Sequence, residues 1–389
     1  MHITIARKAL LGILSQVKGA ADPKAAAPVL ANILLAAESG KPDGLGNIAG
    51  RLTVAATDLY RAARAESSCQ ITSPGGIALP AADIVERVRA MPEGALTLAI
   101  DGTRAVLTAA ASKRRYALQG LPAGEFPQLP TPAAEDTRLV LPVDTFAAML
   151  ARVAPSVSTD TSRPAVNSAL RSPFPGGVRM VSTDGHRLAL AEATVGSAPA
   201  GARGILVPLS AISELRKLID GASGFATLTM PADGAWAHLS LSESPGLSFA
   251  FKLLAQDVTF PPYQQVIPAE ARACVARVNR ALLADAVAKV ALASSEKPAS
   301  VALAFSAADG GCVKVTSRSA ENGEGFDEVP ATYTGADIRF GIRAPYFADC
   351  MAAVDSDEVD IQVTGELDPL VIRPAGGVGY IGVVMPVRL

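Results

Sequence analysis

A chain of 389 residues, 49% apolar and 19% charged, holds core enough for two to four domains, and at 5% aromatic that core is Ala, Val and Leu. A net charge of −2 excludes a uniformly basic coat for nucleic acid and leaves a basic surface confined to one face or channel. Apolar runs break short of the ~18 residues of a membrane span, no secretory pattern opens the chain, and Cys69, Cys274, Cys312 and Cys350 form no Cys-x-x-Cys pair, so a cytoplasmic protein with reduced, buried thiols is expected.

In chain order, the first element is an amphipathic helix from Arg7 to Ala21, with Leu10, Leu11, Ile13, Leu14 and Val17 at spacings of three and four. A hairpin follows at 56–66. Next comes a strand, Pro80, a helix (Ile84, Val85, Val88) and β segments broken at Asp101-Gly102 and Ala111-Ser112. A Pro-rich, extended linker covers 121–138. The second third repeats the order: a helix from Val143 to Val157, then a hairpin in which Val178, Met180 and Val181 lead to a two-residue turn, Asp184-Gly185, and return through Leu188 and Leu190. A strand, Pro208, a helix (Leu209, Ile212, Leu215, Leu218, Ile219) and β segments broken at Asp233-Gly234 and Pro245-Gly246 complete it, and a second Pro-rich linker covers 257–272. The last third has a helix from Val278 to Ala293, then a strand, Pro345, a helix (Phe347, Met351, Val354) and β segments broken at Gly365 and Gly376-Gly377. In each copy the proline suits the first turn of the helix.

The hairpins echo one another residue by residue. Thr57, Asp58, Arg61, Ala63, Ala65 and Glu66 stand 126 positions before Thr183, Asp184, Arg187, Ala189, Ala191 and Glu192. A catalytic turn is rarely duplicated with its scaffold, so the repetition is architectural. It predicts three copies of one α+β domain, at 1–128, 129–262 and 263–389, each with two helices packed on antiparallel sheet.

Catalytic chemistry is hard to find. Neither a Gly-x-x-x-x-Gly-Lys-Ser/Thr loop nor a Gly-x-Gly-x-x-Gly turn occurs, and His2, His186 and His238 lack metal-ligand spacing, so no catalytic residue, metal or cofactor is assigned. Asp58 and Asp184 sit in repeated turns, where capping the turn is the expected role. A hydrolase using Asp184 and His186 is the alternative, although no oxyanion element frames Ser182 and His186. Basic positions recur on the predicted helices: Arg7, Lys8 and Lys18, Arg87 and Arg89, Arg152, Arg216 and Lys217, Arg280 and Lys289, and Arg343. Helices in equivalent places with such residues line one electropositive surface that meets phosphates without reading bases.

Thr-Asp-Gly-His-Arg-Leu-Ala at 183–189 and Val-Met-Pro-Val-Arg-Leu at 384–389 resemble the bacterial DNA sliding clamp, the β subunit of DNA polymerase III. Phe260-Pro261-Pro262-Tyr263, Ser295-Glu296-Lys297 and Tyr333-Thr334-Gly335-Ala336 fit the same pattern, and the likeness runs the length of the chain. It implies the DNA-clamp fold, a head-to-tail homodimer closed into a ring, and a non-catalytic processivity factor that encircles double-stranded DNA. The implied partners are the polymerase, a clamp loader and other proteins carrying short apolar peptides, with no membrane. The resemblance places a peptide pocket at Val166, Thr183, Gly185, His186, Arg187, Leu188, Pro261, Val266, Val383 and Met385, with a neighbouring groove at Arg163, Arg343, Tyr346, Pro386, Val387 and Arg388. It implies DNA contact at Lys24, joined by the helix cations Arg152, Arg216, Lys217 and Lys289. It sets Tyr116 and Leu118 against a partner's Leu292 and Ala293. Departures stand at Pro164-Ala165, where the family often has two tyrosines, at Gln265, where it often has arginine, and at Ala293, which is smaller than usual. Leu59-Tyr60 replace Gly185-His186 in the first copy, so no pocket is expected there. A divergent paralogue acting as an interaction scaffold, or as a decoy or resistance copy, is the alternative.

Overall fold

The computed structural model describes all residues except 43–47, 134–135, 196–203, 231–234, 256, 269–273, 309–310 and 389. The predicted break at Asp233-Gly234, the terminal Leu389 and parts of both linkers lie outside the described residues.

One order of elements, strand, helix, four strands, helix, three strands, occurs three times. The first copy is β1 (His2–Ala6), α1 (Arg7–Lys18), β2 (Asn32–Pro42), β3 (Ile48–Thr57), β4 (Arg61–Ser73), β5 (Gly75–Pro80), α2 (Ala81–Ala90), β6 (Ala95–Asp101), β7 (Arg104–Ala109) and β8 (Ser112–Gln119), with the two-residue β9 (Leu121–Pro122) opening the linker. The second is β10 (Thr137–Pro142), α3 (Val143–Val153), β11 (Ser168–Phe174), β12 (Gly177–Thr183), β13 (Arg187–Thr194), β14 (Ile205–Pro208), α4 (Leu209–Ile219), β15 (Phe225–Met230), β16 (Trp236–Leu241) and β17 (Ser244–Lys252). The third is β18 (Cys274–Asn279), α5 (Arg280–Val290), β19 (Ser300–Ser306), β20 (Cys312–Ser319), β21 (Gly323–Tyr333), β22 (Ile338–Arg343), α6 (Ala344–Ala352), β23 (Glu358–Val363), β24 (Leu370–Pro374) and β25 (Tyr380–Val384).

The chain divides into two compact units, Met1–Asp144 with Glu214–Leu253 and Thr145–Ser213 with Leu254–Leu389. In the first unit the strands of the first copy run β5-β2-β3-β4-β1-β6-β7-β8, all antiparallel. In the second unit the third copy runs β22-β19-β20-β21-β18-β23-β24-β25, the same order strand for strand. The second copy is shared out. Its β17 pairs with β4, setting Phe251 opposite Arg61, and its β13 pairs with β25, setting Val384 opposite Arg187. Arg61 and Arg187 are the repeated arginines, so the closing strand of the second and of the third copy joins the preceding copy at equivalent positions.

The helices lie on these sheets by their apolar stripes. α1 buries Leu10, Ile13, Leu14 and Val17, and α5 buries Leu283, Ala286, Val287 and Val290. Boundaries differ from the sequence reading for local reasons. α5 begins at Arg280 because Val278 belongs to β18 and the Asn279 side chain caps the helix, accepting from the Leu282 N–H at 3.0 Å. α3 stops at Val153 because Pro155 lacks a donor, and a 3-10 turn, Ala154–Ser156, follows. Pro80 and Pro208 each end a strand immediately before their helix, and only Pro345 sits inside a first turn. Pro245-Gly246 is not a break but lies within β17, and the turn is at Ser242-Glu243. None of the four cysteines is in a disulfide among the described residues; Cys312 and Cys350 are buried as expected, whereas Cys69 is half-buried and Cys274 exposed. Among the described residues, no helix is long and apolar enough to cross a membrane.

Candidate functional site

The site in the second unit starts from the turn between β12 and β13. The Thr183 hydroxyl donates to Arg187 O at 2.7 Å and accepts from Gly185 N–H at 3.1 Å. Asp184 Oδ1 accepts from the His186 and Arg187 N–H groups at 2.9 and 3.1 Å, and Oδ2 accepts from Arg187 Nε at 3.0 Å. Asp184 therefore caps the turn. The reversal takes three residues, Asp184 to His186, rather than the two expected, with Gly185 at φ 92°. In the first unit Thr57, Asp58 and Arg61 make the same set of bonds, and the position of Gly185 is held by Leu59 at φ 70°.

The second turn is fastened where the first is not. Arg187 donates from Nη1 to Asp349 on α6 and from Nη2 to Pro155 O, and its guanidinium lies 4.6 Å over the Tyr346 ring. Burial opposes its charge, yet the bonds to Asp349 and Asp184 raise its pKa further, so it stays cationic. His186 stacks on Tyr346 with centroids 6.0 Å apart, and His186 O accepts from Met385 N–H at 2.9 Å. These contacts fix the C-terminal strand against the turn. Val387 N–H then donates to Gly341 O at 2.9 Å, which keeps the last described residues from fraying.

Beside this turn a small core of Val181, Leu188, Leu190, Tyr263, Val371 and Val383 gathers on the sheet. The Phe260–Ile267 segment packs over it, and Tyr263 is anchored by a hydrogen bond its hydroxyl accepts from Arg179 at 3.1 Å. A cavity of about 340 Å³ opens between them. Arg163, Val166, Thr183, Gly185, Arg187, Leu188, Pro261, Val266, Val383 and Met385 line it, all of them named by the sequence reading. Pro262, Tyr263 and Gln265 also line it and were missed as site residues; the repeated Phe-Pro of the linkers was the signal that this segment docks. In the first copy the equivalent Phe126 is buried with Ala55 and Ala78.

Other candidates stand apart from the cavity. His186 is exposed and lies against Tyr346 rather than in the lining. Arg343 is committed to Glu296, Pro298 O and Ser300 at 2.6 to 2.9 Å, Pro386 and Val387 are half-buried, and Arg388 is exposed. Of the cations given to DNA contact, Arg152 is held by Asp355 and Ala353 O, Lys217 by Glu214 and Lys289 by Asp285, whereas Lys24 and Arg216 are exposed and make no ion pair among the described residues. Of the four residues given to a subunit contact, Leu292 is 79% exposed and Tyr116 half-buried. Leu118 and Ala293 are buried in their own units, Ala293 against Gly325. Phe326 on β21, 62% exposed, was not foreseen. Among the described residues no three His, Cys, Asp or Glu side chains form a metal cluster.

Family models of the DNA polymerase III beta subunit match the chain three times in order: the N-terminal domain at 1–130, the central domain at 140–245 and the C-terminal domain at 264–388. The beta sliding clamp of Caulobacter vibrioides is 32% identical over 396 aligned positions, and that of Escherichia coli K12 28% over 392, each covering all of both chains. Among solved structures, the beta sliding clamp of Caulobacter crescentus, with polyethylene glycol bound to its putative beta-motif tethering region, superposes with a TM-score of 0.89 at 29% identity. A sliding clamp from Bartonella birtlesii bound to griselimycin gives 0.89 at 27%, and both comparisons cover the whole of each chain.

Proposed function

The chain belongs to the β sliding clamp family, and from that premise we propose that it is a non-catalytic processivity factor that encircles duplex DNA and tethers a polymerase through the cavity beside Arg187. The observation that carries this reading is the cavity itself: apolar, and framed by a turn that α6 and the C-terminal strand hold rigid. A pre-formed socket of this size takes a short extended segment with apolar anchors, a mode in which a few side chains supply most of the affinity. A tethered polymerase rebinds its template at high effective concentration, and a ring needs no tight grip on phosphates to stay on DNA. No phosphate-binding loop stands in the sequence, so loading falls to a separate ATP-driven protein acting in the cytoplasm.

Three domains at 1–128, 129–262 and 263–389 account for the repeat, and a head-to-tail homodimer follows from its unfinished pairing. β17 joins β4 and β25 joins β13, which leaves β8 without a neighbour beyond β7 and residues 323–330 of β21 without one beyond β20, among the described residues. Lys113, Arg114 and Arg115 stand on β8, and Glu324, Asp327 and Glu328 on β21, with Phe326 and Leu292 exposed at the acidic edge. Each edge complements the other in charge, and each invites another strand. Deleting residues 385–389 abolishes polymerase binding while leaving a folded dimer; undiminished binding by the shortened chain rules out the cavity as the tether.

A further inference from the structure

We propose that Gln265 sets the charge preference of the cavity beside Arg187, and that the protein segment it takes is uncharged where it meets the rim. This rests on reading the cavity as a site for a protein segment. Thr183 spends its hydroxyl on Arg187 O and Gly185 N–H. Tyr263 accepts from Arg179. Arg187 has its Nε, Nη1 and Nη2 on Asp184, Asp349 and Pro155 O, so the one cation deep in the wall is outnumbered by its two carboxylates. Arg163, at the rim, donates from Nε to Asp160 Oδ2 at 3.0 Å. Hydrogen bonds from Ser162, and the Arg163 pairing after them, hold the Asp160 carboxyl below its usual range, so that pair is neutral at physiological pH.

One polar side chain in the lining is uncommitted. Gln265 is exposed, its backbone N–H donates to Pro262 O at 3.2 Å, and no described residue bonds its amide. An amide offers a donor and an acceptor and no charge, which suits another amide, a hydroxyl or a backbone group. A carboxylate entering here meets only cations already paired with carboxylates, Arg163 with Asp160 and Arg187 with Asp184 and Asp349, and it must shed water to approach the apolar wall. Discrimination against acidic segments is then built into the rim, and Gln265 is the position at which it can be reversed.

The test uses the full-length protein and fluorescence anisotropy with acetylated, amidated, labelled pentapeptides. One pair is Ala-Leu-Asn-Leu-Phe and Ala-Leu-Asp-Leu-Phe, a second pair carries Asn or Asp at the first position, and the control is Ala-Ala-Asn-Ala-Ala. In at least one pair the Asn peptide binds about fivefold more tightly at low salt, the upper end of what an exposed charge interaction supplies, and the gap shrinks as salt rises. The variant Q265R removes or reverses that gap. Equal affinity for Asn and Asp peptides in both pairs, with the leucine and phenylalanine anchors still required, overturns the inference and leaves the cavity as a peptide site. Binding that does not depend on the anchors removes the peptide site itself, and the inference with it.

Discussion

Leu59 and Gly185 occupy the same place in two copies of one turn, and exchanging their residue types has opposite expected effects. Leu59 sits at φ 70° with its side chain 51% exposed, so it bears a left-handed backbone and recovers little burial for it. That conformation costs an L-residue about 1–2 kcal/mol. Glycine removes the strain but loses about 0.5–1 kcal/mol to the freedom of the unfolded chain. Leu59→Gly is therefore expected to stabilise the first unit by about 0.5–1 kcal/mol, a rise of roughly 1–4 °C in its thermal midpoint. Gly185→Ala goes the other way, by about 1 kcal/mol. Nothing lies within 4 Å of a Cβ added there, so the loss comes from the backbone and not from a clash. Thermal and urea unfolding at fixed protein concentration measure both changes. A lowered midpoint for Leu59→Gly, or no change for Gly185→Ala, refutes the equivalence of the two turns.

Three further outcomes are expected. Asp58→Ala and Asp184→Ala each strip an acceptor from two backbone N–H groups and an arginine, at a cost of about 2–4 kcal/mol in unfolding experiments, but only Asp184→Ala releases Arg187 and weakens binding of an apolar-anchored peptide. Reversing charge at Lys24 and Arg216, the two assigned DNA-contact cations without an ion pair among the described residues, weakens DNA binding and flattens its logarithmic salt dependence by about 2, in an equilibrium titration, more than reversal of the paired Arg152 and Lys289 does. Burial, opposed by Asp136, lowers the pKa of His238, so the unfolded chain takes up that proton first. The first unit is then expected to lose stability as pH falls below about 6.5, the ordinary histidine value, until the lower folded pKa is passed, and His238→Gln to flatten that part of the unfolding profile.

Much of this architecture was legible because it is written three times. Hydrophobic spacing of three and four located the six α-helices of the described residues, and the match of Thr57, Asp58 and Arg61 to Thr183, Asp184 and Arg187 located turns whose hydrogen bonds agree pair for pair. Helix ends were misplaced where a cap or proline decides them, as at Asn279 and Pro155. The joining of β17 to β4 and β13 to β25 was not legible, because pairing between copies leaves no local pattern. Ten cavity residues followed from family motifs, whereas Pro262, Tyr263 and Gln265 depended on how the linker folds back over Leu188 and Val383. The pairings of Lys217 with Glu214 and of Lys289 with Asp285 stand at helical spacings of three and four and were open to the sequence, whereas that of Arg152 with Asp355, some two hundred residues away, was not.

The proposed ring rests on the proposed meeting of β8 with a partner's β21, and the mass of the protein in solution tests it most directly. The wild-type chain is expected at twice its 39.8 kDa. Replacing Lys113, Arg114 and Arg115 by glutamate should leave the monomer, and adding lysine at Glu324, Asp327 and Glu328 in the same chain should restore the dimer. A wild-type protein that is monomeric at micromolar concentration, or a dimer indifferent to the first set of changes, contradicts the account.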